Sequence, residues 1–139
     1  EKQLYTIQTQ TSDLPKSRVF LLDGPADAPF TIGKFAIPHA MIDAAGARSV
    51  THDLDISWGR TSWETVAAAN PEFLILLDYQ TGNGAADTFT FLQEHPVISQ
   101  IDAVKNNRWI GLRYEELTPG PANIDAIVKI AKAIHLDIK

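Results

Sequence analysis

Cysteine is absent from this 139-residue sequence, which excludes disulfides, thiolate metal sites and cysteine nucleophiles. The compartment stays open, because a chain without cysteine suits reducing and oxidising surroundings alike. No stretch approaches the roughly 20 consecutive apolar residues of a membrane-spanning helix. An excess of positive charge is also missing. The sequence holds 12 Lys and Arg against 17 Asp and Glu, a formal net charge of −5. That balance argues against a nucleic-acid surface, which is normally marked by a basic stripe. The chain opens at Glu1 with neither a start methionine nor a signal-peptide pattern, so an export signal is expected upstream.

What remains is the composition of an ordinary globular domain, 45% hydrophobic and 21% charged, long enough to bury about two-thirds of its unfolded surface. Residues 1–17 are polar, rich in Gln and Thr, and read as a connector. From residue 18 to 139 the pattern is that of an α/β lobe. Val19, Phe20, Leu21 and Leu22 form a short apolar run stopped by Asp23, Gly24 and Pro25, as expected of a strand covered on both faces. Residues 73–77 form a second run and residues 109–112 a third, with a short strand expected at Ser49, Val50 and Thr51. Helical spacing lies between them. Residues 36–45 end at Gly46, a suitable residue just past a helix. Residues 61–69 are stopped by Asn70 and Pro71, and residues 88–94 precede Pro96. Ile98, Ile101 and Val104 suggest one more short helix. Ile124, Ile127, Val128, Ala131 and Ile134 mark the clearest helix, with Lys129 and Lys132 opposite. Strand and helix alternate throughout, which predicts a single Rossmann-like lobe: a mainly parallel sheet flanked by helices.

Catalytic signatures are scarce. The four histidines, His39, His52, His95 and His135, form no H-x-x-x-H or H-x-x-E-H pattern, and no G-x-S-x-G elbow or P-loop is present. The cluster of His52, Asp53 and Asp55 reads as a solvated turn in preference to a metal site. The loop from Gly82 to Gly84 follows a strong strand and precedes a helix, where backbone N–H groups could cradle a phosphate. A small nucleotide-binding or hydrolytic domain using it is the alternative reading. Asp87, however, stands where a third glycine is needed and would repel a pyrophosphate. The segment from Trp58 to Glu64 is richer. Thr61 followed by Glu64 fits a capping box, and Trp58 and Arg60 stand just ahead, an aromatic and a guanidinium suited to a binding rim.

In order and spacing these segments resemble the C-terminal lobe of the periplasmic binding proteins for ferric siderophores, haem and cobalamin. The likeness runs from Arg18 through Leu22, across Phe30, Thr31, Ile32, Gly33 and Lys34 as a turn leading into a helix, and on to Asp43, Ala44, Ala45 and Gly46. Its most specific stretch is Ser62, Trp63 and Glu64 with Asn70, Pro71 and Glu72, similar to an S-x-E…N-P-D signature in which Glu72 replaces the aspartate. His95, Pro96, Asp102, Arg108, Trp109 and the final helix to His135 complete it.

The resemblance implies a two-lobed substrate-binding component of an ABC importer, without catalysis or resident cofactor. It would hold a ferric siderophore or other metal chelate in the cleft between this lobe and an N-terminal lobe. It would work outside the cytoplasm, in a periplasm or as a cell-surface lipoprotein. Ligand contacts are expected from Trp58, Arg60, Tyr79, Arg113 and Tyr114, on loops at the carboxyl ends of the strands. Glu64 matches the acidic residue that docks against permease arginines. Arginines suit the negative charge of a ferric chelate and aromatic rings its flat faces.

Overall fold

The structure is a computed structural model that describes residues 17–23, 28–78, 84–117 and 122–134. Four strands, β1 (Ser17–Leu22), β3 (Ala47–Ser49), β5 (Phe73–Leu77) and β6 (Trp109–Leu112), pair in parallel in the order β3-β1-β5-β6. Two three-residue strands, β2 (Phe30–Ile32) and β4 (Trp58–Arg60), form a separate antiparallel ribbon. The helices are α1 (Ile37–Ala44), α2 (Trp63–Ala69), α3 (Ala85–Glu94), α4 (Asp102–Lys105) and α5 (Ala122–Ile134), with 3₁₀ turns at Ile98–Gln100 and Tyr114–Leu117.

Side-chain alternation along the central strands builds two cores, one on each face. Val19 and Leu21 of β1, with Phe73, Ile75 and Leu77 of β5, join α1 and α5. Phe20 and Leu22, with Leu74 and Leu76, join α2, α3 and α4. Every one of these nine side chains is buried. A strand that must be apolar at every position therefore reads as a continuous run, as β1 and β5 do. The layout is the α/β lobe that the alternation of runs predicts.

The strand order also fixes where a ligand belongs. The chain leaves β1 toward β3 on one side, then returns to β5 and proceeds outward to β6. The order reverses between β1 and β5, and in open parallel sheets ligands bind in the crevice outside the carboxyl ends at such a reversal. Asp23 and Asp78 follow β1 and β5 at that end.

Local details depart from the sequence reading in four places. Residues 30–32 are a strand, not the expected turn into a helix, and Trp58–Arg60 is a strand, not a loop. A three-residue strand carries too little alternation to register, and Gly59 lowers its β-propensity further. The expected strand at residues 49–51 is Ala47–Ser49, because Thr51 turns away to donate its hydroxyl to Ile32 O at 2.6 Å and accept or share a proton with Ser49 Oγ at 2.8 Å. Helix α3 begins at Ala85, three residues before the expected start at Thr88. The Asp78 carboxylate accepts from Ala85 N at 3.1 Å and so caps the helix from the preceding strand end.

Candidate functional site

The ribbon of β2 and β4 carries the candidate ligand rim. Its register pairs Phe30 with Arg60 and Ile32 with Trp58, so these four side chains share one face. Ile32 is buried in the core, and half-buried Trp58 packs against the same cluster. Outward from there, the Phe30 ring stacks on Trp58 at 6.0 Å. The Arg60 guanidinium lies over Phe30 at 5.4 Å while its Nη1 donates to Ala28 O at 2.7 Å. The ring–cation contact and the single carbonyl bond leave most of the guanidinium donors facing solvent on an exposed residue.

Two anchors hold this ribbon at the carboxyl end of the sheet. The Thr31 hydroxyl donates to Leu21 O, and Asp23 N donates to Phe30 O at 3.0 Å. Thr61 N reaches back to Pro29 O at 3.1 Å. Trp58 and Arg60, both expected at the site, are thus brought together, and Phe30 is the member that sequence reading missed. Its signal was present as a large aromatic in the segment after β1, but only the antiparallel register reveals the partner it stacks on.

Helix α2 starts directly after β4. Its N-cap is Ser62, whose Oγ accepts from Thr65 N at 3.1 Å and meets Thr65 Oγ1 at 2.7 Å. The expected capping box of Thr61 and Glu64 is therefore one residue out of register: Thr61 lies outside the helix and Glu64 is its second residue. Glu64 is exposed and makes no hydrogen bond or ion pair with a described residue. A carboxylate in the first turn is favourable beside the positive end of the helix, and no other described residue holds it. Trp63, beside it, is buried against Phe20, Phe91 and His95.

The remaining expected residues are more scattered. Arg113 follows β6, the far edge strand, and is exposed, with its Nε 3.3 Å from Glu115 Oε1. Its backbone N–H donates to Glu116 Oε1 at 2.9 Å. Tyr114 lies in the succeeding 3₁₀ turn, but its side chain is outside the described residues, as is Tyr79. Gly82 is outside them too. At Gly84 the N-terminus of α3 already faces the carboxylate of Asp78, and Asp87 sits in its first turn. Two acidic groups there oppose a bound phosphate. The two large apolar side chains most exposed among the described residues, Phe35 at 63% and Ile37 at 44%, flank the start of α1, also at the carboxyl end of the sheet. Among the described residues, no three His, Asp or Glu side chains converge as a metal site.

Comparison with known proteins places this geometry in a family. The chain superposes on a periplasmic binding protein from Veillonella parvula with a TM-score of 0.82 and 32% identity, over 96% of this chain and 47% of that one. An ABC-type Fe3+-hydroxamate transport protein from Saccharomonospora viridis gives 0.82 at 17% identity, over 96% and 46%. A periplasmic heme-binding protein from Pseudomonas aeruginosa gives 0.82 at 22%, over 99% and 50%. The latter two likenesses concern the fold alone. The chain spans about half the length of these solved structures. No curated protein matches it in sequence. The family model described as periplasmic binding protein matches residues 2–115, and with that match across most of its length this chain belongs to the periplasmic binding protein family.

Proposed function

We propose that residues 18–139 are the C-terminal lobe of a two-lobed substrate-binding component of an ABC importer, with residues 1–17 as the connector from an N-terminal lobe. It binds its ligand without transforming it. The ligand is an iron–siderophore or related metal chelate, held in the cleft between lobes. The protein works in the periplasm or tethered to the cell surface by lipid; no described helix is long and apolar enough to cross a membrane.

The observation that carries this reading is the Trp58–Phe30–Arg60 stack at the carboxyl end of the sheet, one turn of chain away from an exposed Glu64 that has no partner among the described residues. A flat aromatic pair offers stacking area to an organic chelator, and the arginine beside it meets the chelate's negative charge. Arg113, following β6, is assigned to the same ligand, and Tyr79 and Tyr114 are assigned to it from the sequence resemblance alone. The Fe3+-hydroxamate transport and heme-binding proteins among the structural neighbours accord with such a ligand. Glu64 docks against permease arginines, where charge complementarity orients the complex more than it tightens it.

Titrating the two-lobed protein with ferric siderophores, haem and cobalamin, read by tryptophan quenching, tests the ligand class. A siderophore is expected to quench saturably, and failure of all three classes overturns the reading. Glu64→Lys tests docking: chelate binding persists while uptake is lost, and undiminished uptake removes the assignment.

A further inference from the structure

A second cationic site lies on the flank of the lobe, at the open edge of the sheet. Strand β3 is an edge strand, and two clefts meet along it. The larger, 510 Å³, lies toward the C-terminal end of α2 and is lined by Arg18, Arg48, Ser49, Val50, His52 and Ala69. The smaller, 390 Å³, lies toward α1, and Arg48 and His52 line it as well, together with Lys34, His39 and Asp43. Arg48 and His52 thus form the wall shared by both. Neither cleft is lined by a residue of the chelate rim or by Glu64.

The two clefts differ in charge. In the smaller one, Asp43 approaches His39 at 3.4 Å, and Lys34 is taken by Asp55 at 2.5 Å. Lys34 and His39, which line only this cleft, thus each face a carboxylate. Among the described residues that line it, the larger cleft has no carboxylate. Arg18, which also lines it, donates from Nε to Asn70 O at 3.0 Å and lies 3.6 Å from Glu72. Arg48 and His52 are exposed, and their side chains make no hydrogen bond or ion pair with a described residue. In a chain of net charge −5, two of its five arginines therefore converge on one cavity with a histidine. A charged side chain on an edge strand guards against unwanted pairing, and that alone would account for an arginine in β3. It does not account for His52 and Arg18 turned to the same space.

We propose that this cleft binds a compact oxyanion, a phosphate group, with Arg48 as its principal ligand. The Arg48 guanidinium fork, without a partner among the described residues, can take two phosphate oxygens, the His52 imidazole supplies a further N–H, and Arg18 contributes charge beside them. The phosphate is either a free anion or the headgroup of a lipid, which present the same chemistry to the cleft. This site is independent of the proposed chelate site and stands whether or not that reading does.

The test is an amide NMR titration of the 139-residue chain with sodium phosphate at constant pH and ionic strength, with sodium chloride as reference. Saturable shifts at Ser49, Val50 and Ala69 are expected, with affinity at least tenfold weaker in Arg48→Ala, weaker also in His52→Gln, and unchanged in Arg60→Ala. Shifts that chloride reproduces, or equal phosphate affinity in Arg48→Ala, overturn the proposal. Flotation with phosphatidylglycerol and phosphatidylcholine vesicles then identifies the source. Retention on the anionic vesicles alone, competed by inorganic phosphate, assigns a headgroup; saturable phosphate binding without retention assigns the free anion.

Discussion

The rings of Trp58 and Phe30 lie 6.0 Å apart with their planes 17° from parallel, although the two residues sit on opposite strands and are not direct cross-strand partners. The contact is diagonal, a separation that only large side chains bridge. Phe30 thereby links the half-buried indole to the exposed Arg60, and its loss should disturb both. In the two-lobed protein, Phe30→Ala is expected to weaken chelate binding by more than tenfold, as Trp58→Ala should, while Phe30→Tyr retains it. Tryptophan quenching measures all three. Full affinity in Phe30→Ala would make the stack a purely structural feature.

The register of α2 gives a second prediction. Ser62 caps the helix through Thr65 N, whereas Thr61 only passes its own N–H back to Pro29 O. Ser62→Ala should cost about 1 kcal/mol, read as a lower urea midpoint of the 139-residue chain. Thr61→Ala, which keeps the backbone bond, should lie within about 0.5 kcal/mol of the parent. The reverse ranking would restore Thr61 as the cap.

That one-residue slip shows where sequence reading succeeds and stops. Strands β1 and β5 were legible because burial on both faces demands an unbroken apolar run, and α5 because its buried and exposed residues alternate at helical spacing. The ribbon was not, since Thr31 and Gly59 lie opposite each other on its other face and no three-residue segment displays a period. Competing hydroxyls at positions 61 and 62 made either a plausible cap, and only backbone geometry chooses: Ser62 has the extended conformation with the helix following it. Of the site, Trp58 and Arg60 were visible as residue types. Phe30 was not, because its role arises from stacking on a residue 28 positions further along the sequence.

Asn70 supports a third prediction. It ends α2 in the left-handed region, φ 48°, and its side chain reaches the next layer: Oδ1 accepts from Asp102 N at 2.9 Å and Nδ2 donates to Asp102 Oδ2 at 3.1 Å. Its carbonyl meanwhile receives Arg18 Nε. Asparagine tolerates this backbone, glycine adopts it freely, and alanine pays roughly 1 kcal/mol for it. Both Asn70→Gly and Asn70→Ala lose the two bonds to Asp102, so both should destabilise, with alanine the worse by about 1 kcal/mol in chemical denaturation. Equal losses would show that the side-chain bonds alone matter.

The last prediction concerns how the ribbon is seated. Gly33 follows β2 where residues 54–57 cross over it. Gly33 N donates to Ser57 O at 2.8 Å and Lys34 N to Leu54 O at 3.0 Å. A Cβ on Gly33 would meet the backbone oxygens of Ile56 and Leu54 at 2.3 and 2.7 Å. Carbonyls fixed in the crossing segment cannot step aside without moving the strand that carries Trp58. Gly59 is less crowded: a Cβ there meets chiefly Ile56 Cδ1 at 2.7 Å, the tip of a flexible side chain. Replacing glycine by alanine also restricts the unfolded chain, which favours folding by about 0.4–1 kcal/mol. At Gly59 that gain should nearly offset the small rearrangement. At Gly33 the clash should win, costing about 2 kcal/mol or more. Thermal unfolding of the two variants, with Trp58 emission as a reporter of the ribbon, separates them. Equal stability would mean that the crossing segment yields more easily than its hydrogen bonds to Gly33 and Lys34 imply.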